Sequence, residues 1–115
     1  PITVRINAAL FEWVVENLLK NSLDALQGFG NIEVMLSQNN DWAFIDVRDT
    51  GKGIAKSNWK RIFEPGFTTK TRGWGLGLSL SKRIIEEYHK GKIGVVESEI
   101  GKGTTIRISV RKSDA

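Results

Sequence analysis

The chain contains no cysteine and only one histidine. Disulfides and thiolate metal sites are therefore excluded, and one imidazole cannot by itself build a histidine-rich metal centre. Any metal must be held mainly by oxygen. No apolar run approaches the roughly 20 residues that a membrane helix needs, and the first residues lack a signal-peptide pattern. Charge is not concentrated either. Seventeen Lys and Arg against thirteen Asp and Glu leave a net +4, and the basic groups at Lys56 to Arg61, Lys70 to Arg72 and Arg107 to Lys112 are scattered. A nucleic-acid binder gathers such residues on one face beside exposed aromatics. The scattered pattern fits a polyphosphate ligand or an acidic partner, and equally an ordinary solvated surface. Because Pro1 stands where an initiator Met would, the chain reads as a segment excised from a longer protein.

What is present matches one globular domain: 115 residues, 40% hydrophobic and 26% charged, too few for a second core. Ile2 to Ile6 alternates apolar and polar residues, as a short strand does. Asn7 is a plausible N-cap for a helix whose apolar positions Phe11, Val15, Leu18 and Ala25 recur before Gly28 and Gly30 stop it. Strands are expected at Ile32 to Ser37 and Ala43 to Arg48, joined by a hairpin turn through Gln38, Asn39, Asn40 and Asp41. A short helix is expected from Lys56 to Ile62. Glu64 to Gly75 has no sustained period and the length of a functional lid. Helical spacing returns from Leu76 to His89, and strands follow at Lys92 to Glu97 and Thr104 to Arg111. This order is α+β and does not alternate as βαβ units do.

Three segments carry possible chemistry. In the first helix, Asn17, Asn21 and Asp24 share a face beside the apolar stripe. Amide oxygens there are hard ligands suited to Mg²⁺, which takes its remaining oxygens from water and substrate phosphates. The same row also reads as a solvated helix face, and Glu16 with Lys20 as a surface ion pair. Asp49-Thr50-Gly51-Lys52-Gly53-Ile54 follows a strand directly. A carboxylate at a strand end can accept from an exocyclic amino group, and glycines allow a flat base to approach the backbone. Adenine fits this arrangement; guanine would set a carbonyl against the carboxylate. An ordinary Asp-Gly turn is the bland alternative. Gly73-Trp74-Gly75-Leu76-Gly77-Leu78 leads into a helix, where backbone N–H groups and partial positive charge suit phosphate. It is not G-x-G-x-x-G, and Walker A, H-R-D and D-F-G signatures do not occur.

Together these segments resemble, in order and spacing, the Bergerat-fold ATPase and kinase superfamily, and within it the histidine kinases. Glu16 to Asp24 resembles the N box, Asp49 to Ile54 the first glycine box, and Ile62 to Lys70 the F box. Gly73 to Leu78 resembles the second glycine box, and Gly101-Lys102-Gly103-Thr104-Thr105 the last glycine motif. The F box favours histidine kinases over other branches. The resemblance implies a two-layer α/β sandwich, with a mixed sheet of about five strands and three helices on one face. It implies ATP and Mg²⁺ as cofactors, with Asn21 on the metal, Asn17 assisting, and Asp49 on the adenine amino group. Gly51, Gly53 and Ile54 would line the base, Thr104 would support the adenine side, and Gly73, Gly75, Leu76, Gly77 and Leu78 would form the phosphate turn, with Gly75 and Gly77 presenting amides. Phe67 to Trp74 would be the ATP lid, with Lys70 and Arg72 charge-matched to the terminal phosphates.

Two departures stand out. Where many family members have a basic residue and an aromatic three and four places after the metal asparagine, this chain has Asp24 and Ala25. His89 stands in His-Lys-Gly where the family often has His-Gly-Gly, and resembles a structural position more than a phosphoacceptor. Carried through, the resemblance implies a cytoplasmic domain that gives the γ-phosphate of ATP to a histidine on a separate dimerisation and phosphotransfer domain, with a response regulator engaged indirectly, no nucleic acid as partner and no direct membrane insertion by this segment, membrane anchoring of the full-length protein being left open. Glu16 is then a catalytic candidate with Asn17 and Asn21, its part in proton movement open. The rival expectations are an ATP-hydrolysing relative of the gyrase, mismatch-repair or heat-shock chaperone kind, and a module that binds nucleotide or partner without catalysis. The hydrolases resemble one another in a glutamate four residues before the metal asparagine; here that position is Asn17, and Glu16 lies about 100° around the helix from it.

Overall fold

The computed structural model describes residues 2–67 and 77–113. Helix α1 (Ala8–Leu26) begins where expected: the Asn7 side chain accepts from the Leu10 amide at 3.0 Å, satisfying an N–H that the helix itself leaves unpaired. Phe11, Val14, Leu18 and Ser22 recur every three or four residues and form its buried face. The helix ends one residue before the glycines thought to stop it. Gln27 takes the left-handed conformation (φ 54°), and Gly28 and Gly30, at φ 121° and 144°, carry the chain away. Tertiary bonding helps to fix this exit, because the Ala25 carbonyl accepts from the Lys52 amide at 3.0 Å.

Strands β1 (Ile32–Gln38), β2 (Trp42–Asp49), β3 (Lys92–Glu99) and β4 (Gly103–Arg111) form one sheet in the order β1-β2-β4-β3, with every pair antiparallel. The α+β, two-layer expectation holds. The mixed sheet of about five strands is corrected to four antiparallel ones among the described residues. β1–β2 and β3–β4 are hairpins that join through β2 and β4, so no crossover of the kind a parallel pair requires is involved. The Ile2 to Ile6 segment contributes a single bridge, Val4 to Lys112, and a bond from the Ser113 amide to the Thr3 carbonyl at 2.8 Å. Its bridge partner lies in the stretch beyond β4 that runs past the start of β3, where Lys92 faces Ser109, and Ile2 and Val4 pack against the core.

On one face of the sheet lie α1, α2 (Gly77–Arg83) and two single 3-10 turns, Lys56–Asn58 and Arg61–Phe63, which replace the short helix expected there. The break falls around Trp59, whose indole N–H donates to the Ile54 carbonyl at 3.0 Å and holds the first turn back, while Ile62 and Phe63 of the second enter the core. α2 runs on as one wide π turn, Ile84–Tyr88. That turn keeps Ile84 and Ile85 in the core and brings the His89 imidazole against the start of α1. Its Nε2 accepts from the Asn7 amide and its Nδ1 donates to the Ile84 carbonyl, each at 2.9 Å.

Between the layers, Val14, Leu18 and Ile85 pack with Val47, Ile106 and Ile108 of the central strands. Alternation puts Trp42, Phe44, Asp46, Arg107 and Arg111 on the opposite face. There Asp46 and Arg107, directly opposed in register, make two bonds of 2.8 and 3.0 Å. The Arg107 guanidinium also lies 4.7 Å from the Phe44 ring centroid. Its pKa is raised above the ordinary arginine value, first by the hydrogen bond to Asp46, with burial opposing and the carboxylate's charge adding. This face is thus shielded by its own long side chains.

Ile108 is fully buried, so Ile108→Ala should cost about 2–5 kcal/mol, and Asn7→Ala about 1 kcal/mol through the lost cap. Urea unfolding followed by circular dichroism checks both, and Asn7→Ser should recover most of the cap.

Candidate functional site

The sheet end where β2 finishes and β4 begins gathers the first glycine turn. Asp49, the last residue of β2, is 6% exposed, and its Oδ1 accepts from the Gly51 amide at 2.9 Å. Thr104, equally buried, stands opposite it in register, with Ser98 on the far side of Thr104. Ser98 Oγ donates to the Gly103 carbonyl at 3.0 Å, meets Thr104 Oγ1 at 2.7 Å and accepts from the Ile54 amide at 2.7 Å. One hydroxyl therefore binds three segments: β3, the start of β4 and the residue after Gly53. Asp49, Ser98 and Thr104 line a polar cleft of about 440 Å³, shared with Arg48, Glu97 and Lys102.

The glycines of this turn are required for a reason other than the one read from sequence. A Cβ at Gly51 would lie 2.5 Å from the Ala25 carbonyl oxygen, and one at Gly53, where φ is +79°, would strike the Glu99 carbonyl. Likewise a Cβ at Gly103 would strike the Asp49 carbonyl. The space opened by the missing side chains is filled by the protein's own backbone, which draws the turn against α1 and the β3–β4 turn. Thr50 adds a clamp: its hydroxyl accepts from the Asn31 amide at 2.9 Å and its own amide donates to the Asn31 carbonyl at 3.1 Å.

Two turns back along α1, the other end of the site is built around Asn17. Its Nδ2 donates to Ser81 Oγ at 3.2 Å, and Ser81 Oγ donates to the Gly77 carbonyl at 2.8 Å. A Cβ at Gly77 would lie 2.5 Å from Asn17 Oδ1, so the asparagine amide occupies the space that any larger residue would take. Asn21 lies between the two ends, partly buried, with Nδ2 donating to the Asn17 carbonyl at 3.0 Å. Asn17, Asn21 and Ala25 are each four residues apart and share one stripe of α1. Gly77 abuts the first of them and Gly51 the last, about 12 Å apart along the axis at 1.5 Å per residue.

The structure thus brings Asn17, Asn21 and Gly77 together along α1, and Asp49, Gly51, Gly53, Ile54 and Thr104 together at the sheet end. Ile54 and Leu78 are half-buried and pack on the core. Glu16 is exposed on α1. Lys70, Arg72, Gly73, Trp74, Gly75 and Leu76 lie outside the described residues. Both nitrogens of His89 are committed to backbone partners, in keeping with a structural position. Among the described residues no group of three or more His, Cys, Asp or Glu is placed to hold a metal. Sequence reasoning missed Ser98, Ser81 and Trp59. Only the strand register could have pointed to Ser98, and only the α1–α2 packing to Ser81.

A family model described as histidine kinase-, DNA gyrase B-, and HSP90-like ATPase matches residues 7–114. Sporulation kinase E of Bacillus subtilis (strain 168) is 45% identical over 95 residues, which cover 82% of this chain and 13% of that protein. The sensor histidine kinase ZraS of Escherichia coli (strain K12) is 42% identical over 95 residues, 83% of this chain and 20% of that one. The chain therefore spans about a fifth or less of the length of these relatives. The solved catalytic domain of histidine kinase ThkA, in a nucleotide-free form, superposes with a TM-score of 0.85 at 31% identity, covering 96% of this chain and 73% of that chain. By sequence and by fold, the chain belongs to the histidine kinase-, DNA gyrase B- and HSP90-like ATPase family, as an ATPase domain of the histidine kinase type.

Proposed function

We propose that this domain binds ATP with Mg²⁺ and gives the γ-phosphate to a histidine on a dimerisation and phosphotransfer domain, which in turn serves a response regulator in the cytoplasm. The observation that carries the reading is the shared stripe of α1, with Gly77 against Asn17 and Gly51 against Ala25. A nucleotide laid along that stripe would have its base at Asp49 and Thr104 and its phosphates at the start of α2. The buried Asp49 carboxylate supplies an acceptor for the adenine amino group, and Thr104 lies beside it. Gly77 begins α2, where backbone amides favour phosphate oxygens. Lys70 and Arg72 of the expected lid are the proposed cations for the terminal phosphates, and Gly73, Gly75 and Leu76 belong to the expected phosphate turn.

The donor set fits magnesium. Asn21 and Asn17 offer neutral amide oxygens, and a metal held by few protein ligands completes its shell with water and phosphate. Bound there, Mg²⁺ neutralises charge on the phosphates, and phosphoryl transfer depends mostly on such neutralisation and on positioning. The chain's own residues do the positioning: Asn17 is pinned by Ser81, Asn21 by the Asn17 carbonyl, and Asp49 by the Gly51 amide.

ATP hydrolysis is the weaker reading. It calls for a carboxylate to orient water, whereas the position four residues before Asn21 holds an amide packed against Gly77, and Glu16 faces solvent.

Calorimetry with ATP and GTP on wild type and Asp49→Ala tests the base site. ATP should bind in preference to GTP, and the substitution should weaken ATP binding by roughly 10- to 150-fold, the worth of a hydrogen bond to a charged group; equal binding of GTP overturns the assignment. A second assay follows labelled phosphate from ATP. It should reach a supplied histidine-bearing phosphotransfer domain, with little hydrolysis in its absence. Rapid hydrolysis by the domain alone, abolished by Glu16→Ala, would restore the hydrolase reading.

A further inference from the structure

Ser81 is wholly buried on α2, yet its hydroxyl reaches across to the polar stripe of α1. We infer that Ser81 is a positioning residue, which fixes the amide of Asn17 so that its oxygen, and not its nitrogen, is turned toward the metal and phosphate side. This rests on the nucleotide reading above and adds to it a residue outside the glycine turn.

The hydroxyl has one hydrogen, and it goes to the Gly77 carbonyl at 2.8 Å. What remains for Asn17 is a lone pair, which only the NH₂ end of the amide can use. Nδ2 accordingly donates to Ser81 Oγ at 3.2 Å. Rotating the amide by half a turn would bring Oδ1 against Ser81 Oγ, and the hydroxyl could meet it only by turning its hydrogen away from the Gly77 carbonyl, so the flipped amide costs one of the two bonds. Oδ1 is therefore held on the Gly77 side, where an ideal Cβ would lie 2.5 Å from it against 2.9 Å from Nδ2. The absence of a side chain at residue 77 leaves room for that oxygen. The same hydroxyl thus ties the first residue of α2 to the helix that carries both asparagines, so the metal end and the phosphate end share one reference point.

The test uses the 115-residue chain, ATP with Mg²⁺ or with chelator, and wild type, Ser81→Ala, Asn17→Ala and the double variant. Calorimetry gives ATP affinity with and without metal, and ¹⁵N spectra of the ligand-free protein report the Asn17 side-chain amide. In Ser81→Ala the Asn17 amide protons should shift and exchange faster with water. The gain in ATP affinity from Mg²⁺ should shrink by roughly tenfold, from loss of one buried bond, while affinity without metal stays within about twofold. The double variant should be no worse than Asn17→Ala alone, since the two act as one unit. Should alanine unfold the chain, Ser81→Cys offers similar size with a weak acceptor and is read in the same way. An unchanged metal requirement, or equal loss with and without metal, overturns the inference while leaving the function standing. A wild type that binds no nucleotide overturns both.

Discussion

The open end of this domain depends on how closely the turn after β2 approaches the last full turn of α1. The Ala25 carbonyl, unpaired within the helix, accepts from Lys52, and Gly51 has no Cβ to prevent the contact. From that single approach the rest follows. Asp49 is brought beside α1 at the same time as it closes β2, Lys52 accepts in turn from the Gly101 amide at 2.8 Å, and the β3–β4 turn is drawn in behind. A helix terminus normally leaves its carbonyls to water or to a capping residue. Here a loop from the far end of the sheet takes one of them, so the helix end and the carboxylate cannot shift independently.

The same contact bears on Ala25. Many family members carry an aromatic at that position, but the methyl group of Ala25 lies in the space that faces Gly51. A small residue suits this close packing. Under the proposed function, Ile54 would offer the base an aliphatic surface where such a ring is missing. Its backbone is held from both sides, by Ser98 at the amide and Trp59 at the carbonyl.

Much of this was legible in the residues because it was local. The Asn7 cap, the strand alternation and the hairpin turns each depend on neighbours in the chain, and the motif order pointed to the family and proposed Asn17, Asn21, Asp49 and Thr104 as site residues. What was not legible depends on distant partners. Ser81 and Asn17 are 64 positions apart, and nothing in the sequence near either says they meet. The π turn at Ile84–Tyr88 satisfies a helical period as well as an α-helix would, and is recognisable only once His89 is seen against α1. The first segment alternates as a strand should, but among the described residues it pairs at a single point, with the last stretch of chain after β4. The glycines of the Asp49 turn were expected to admit a flat base, and what approaches them in the structure is protein backbone.

The imidazole of His89 closes the N-terminal end of α1 from 82 positions downstream. On a ribosome the first helix emerges with its own Asn7 side chain in place but with that outer clasp still unmade. β1 and β2, which end at Asp49, can begin to cover the apolar face of α1 soon after it is made, because Val47 packs in the same core as Val14 and Leu18. The order of translation thus lets one face of the helix find its cover early, while its N-terminal end is free to fray until the segment that carries His89 arrives.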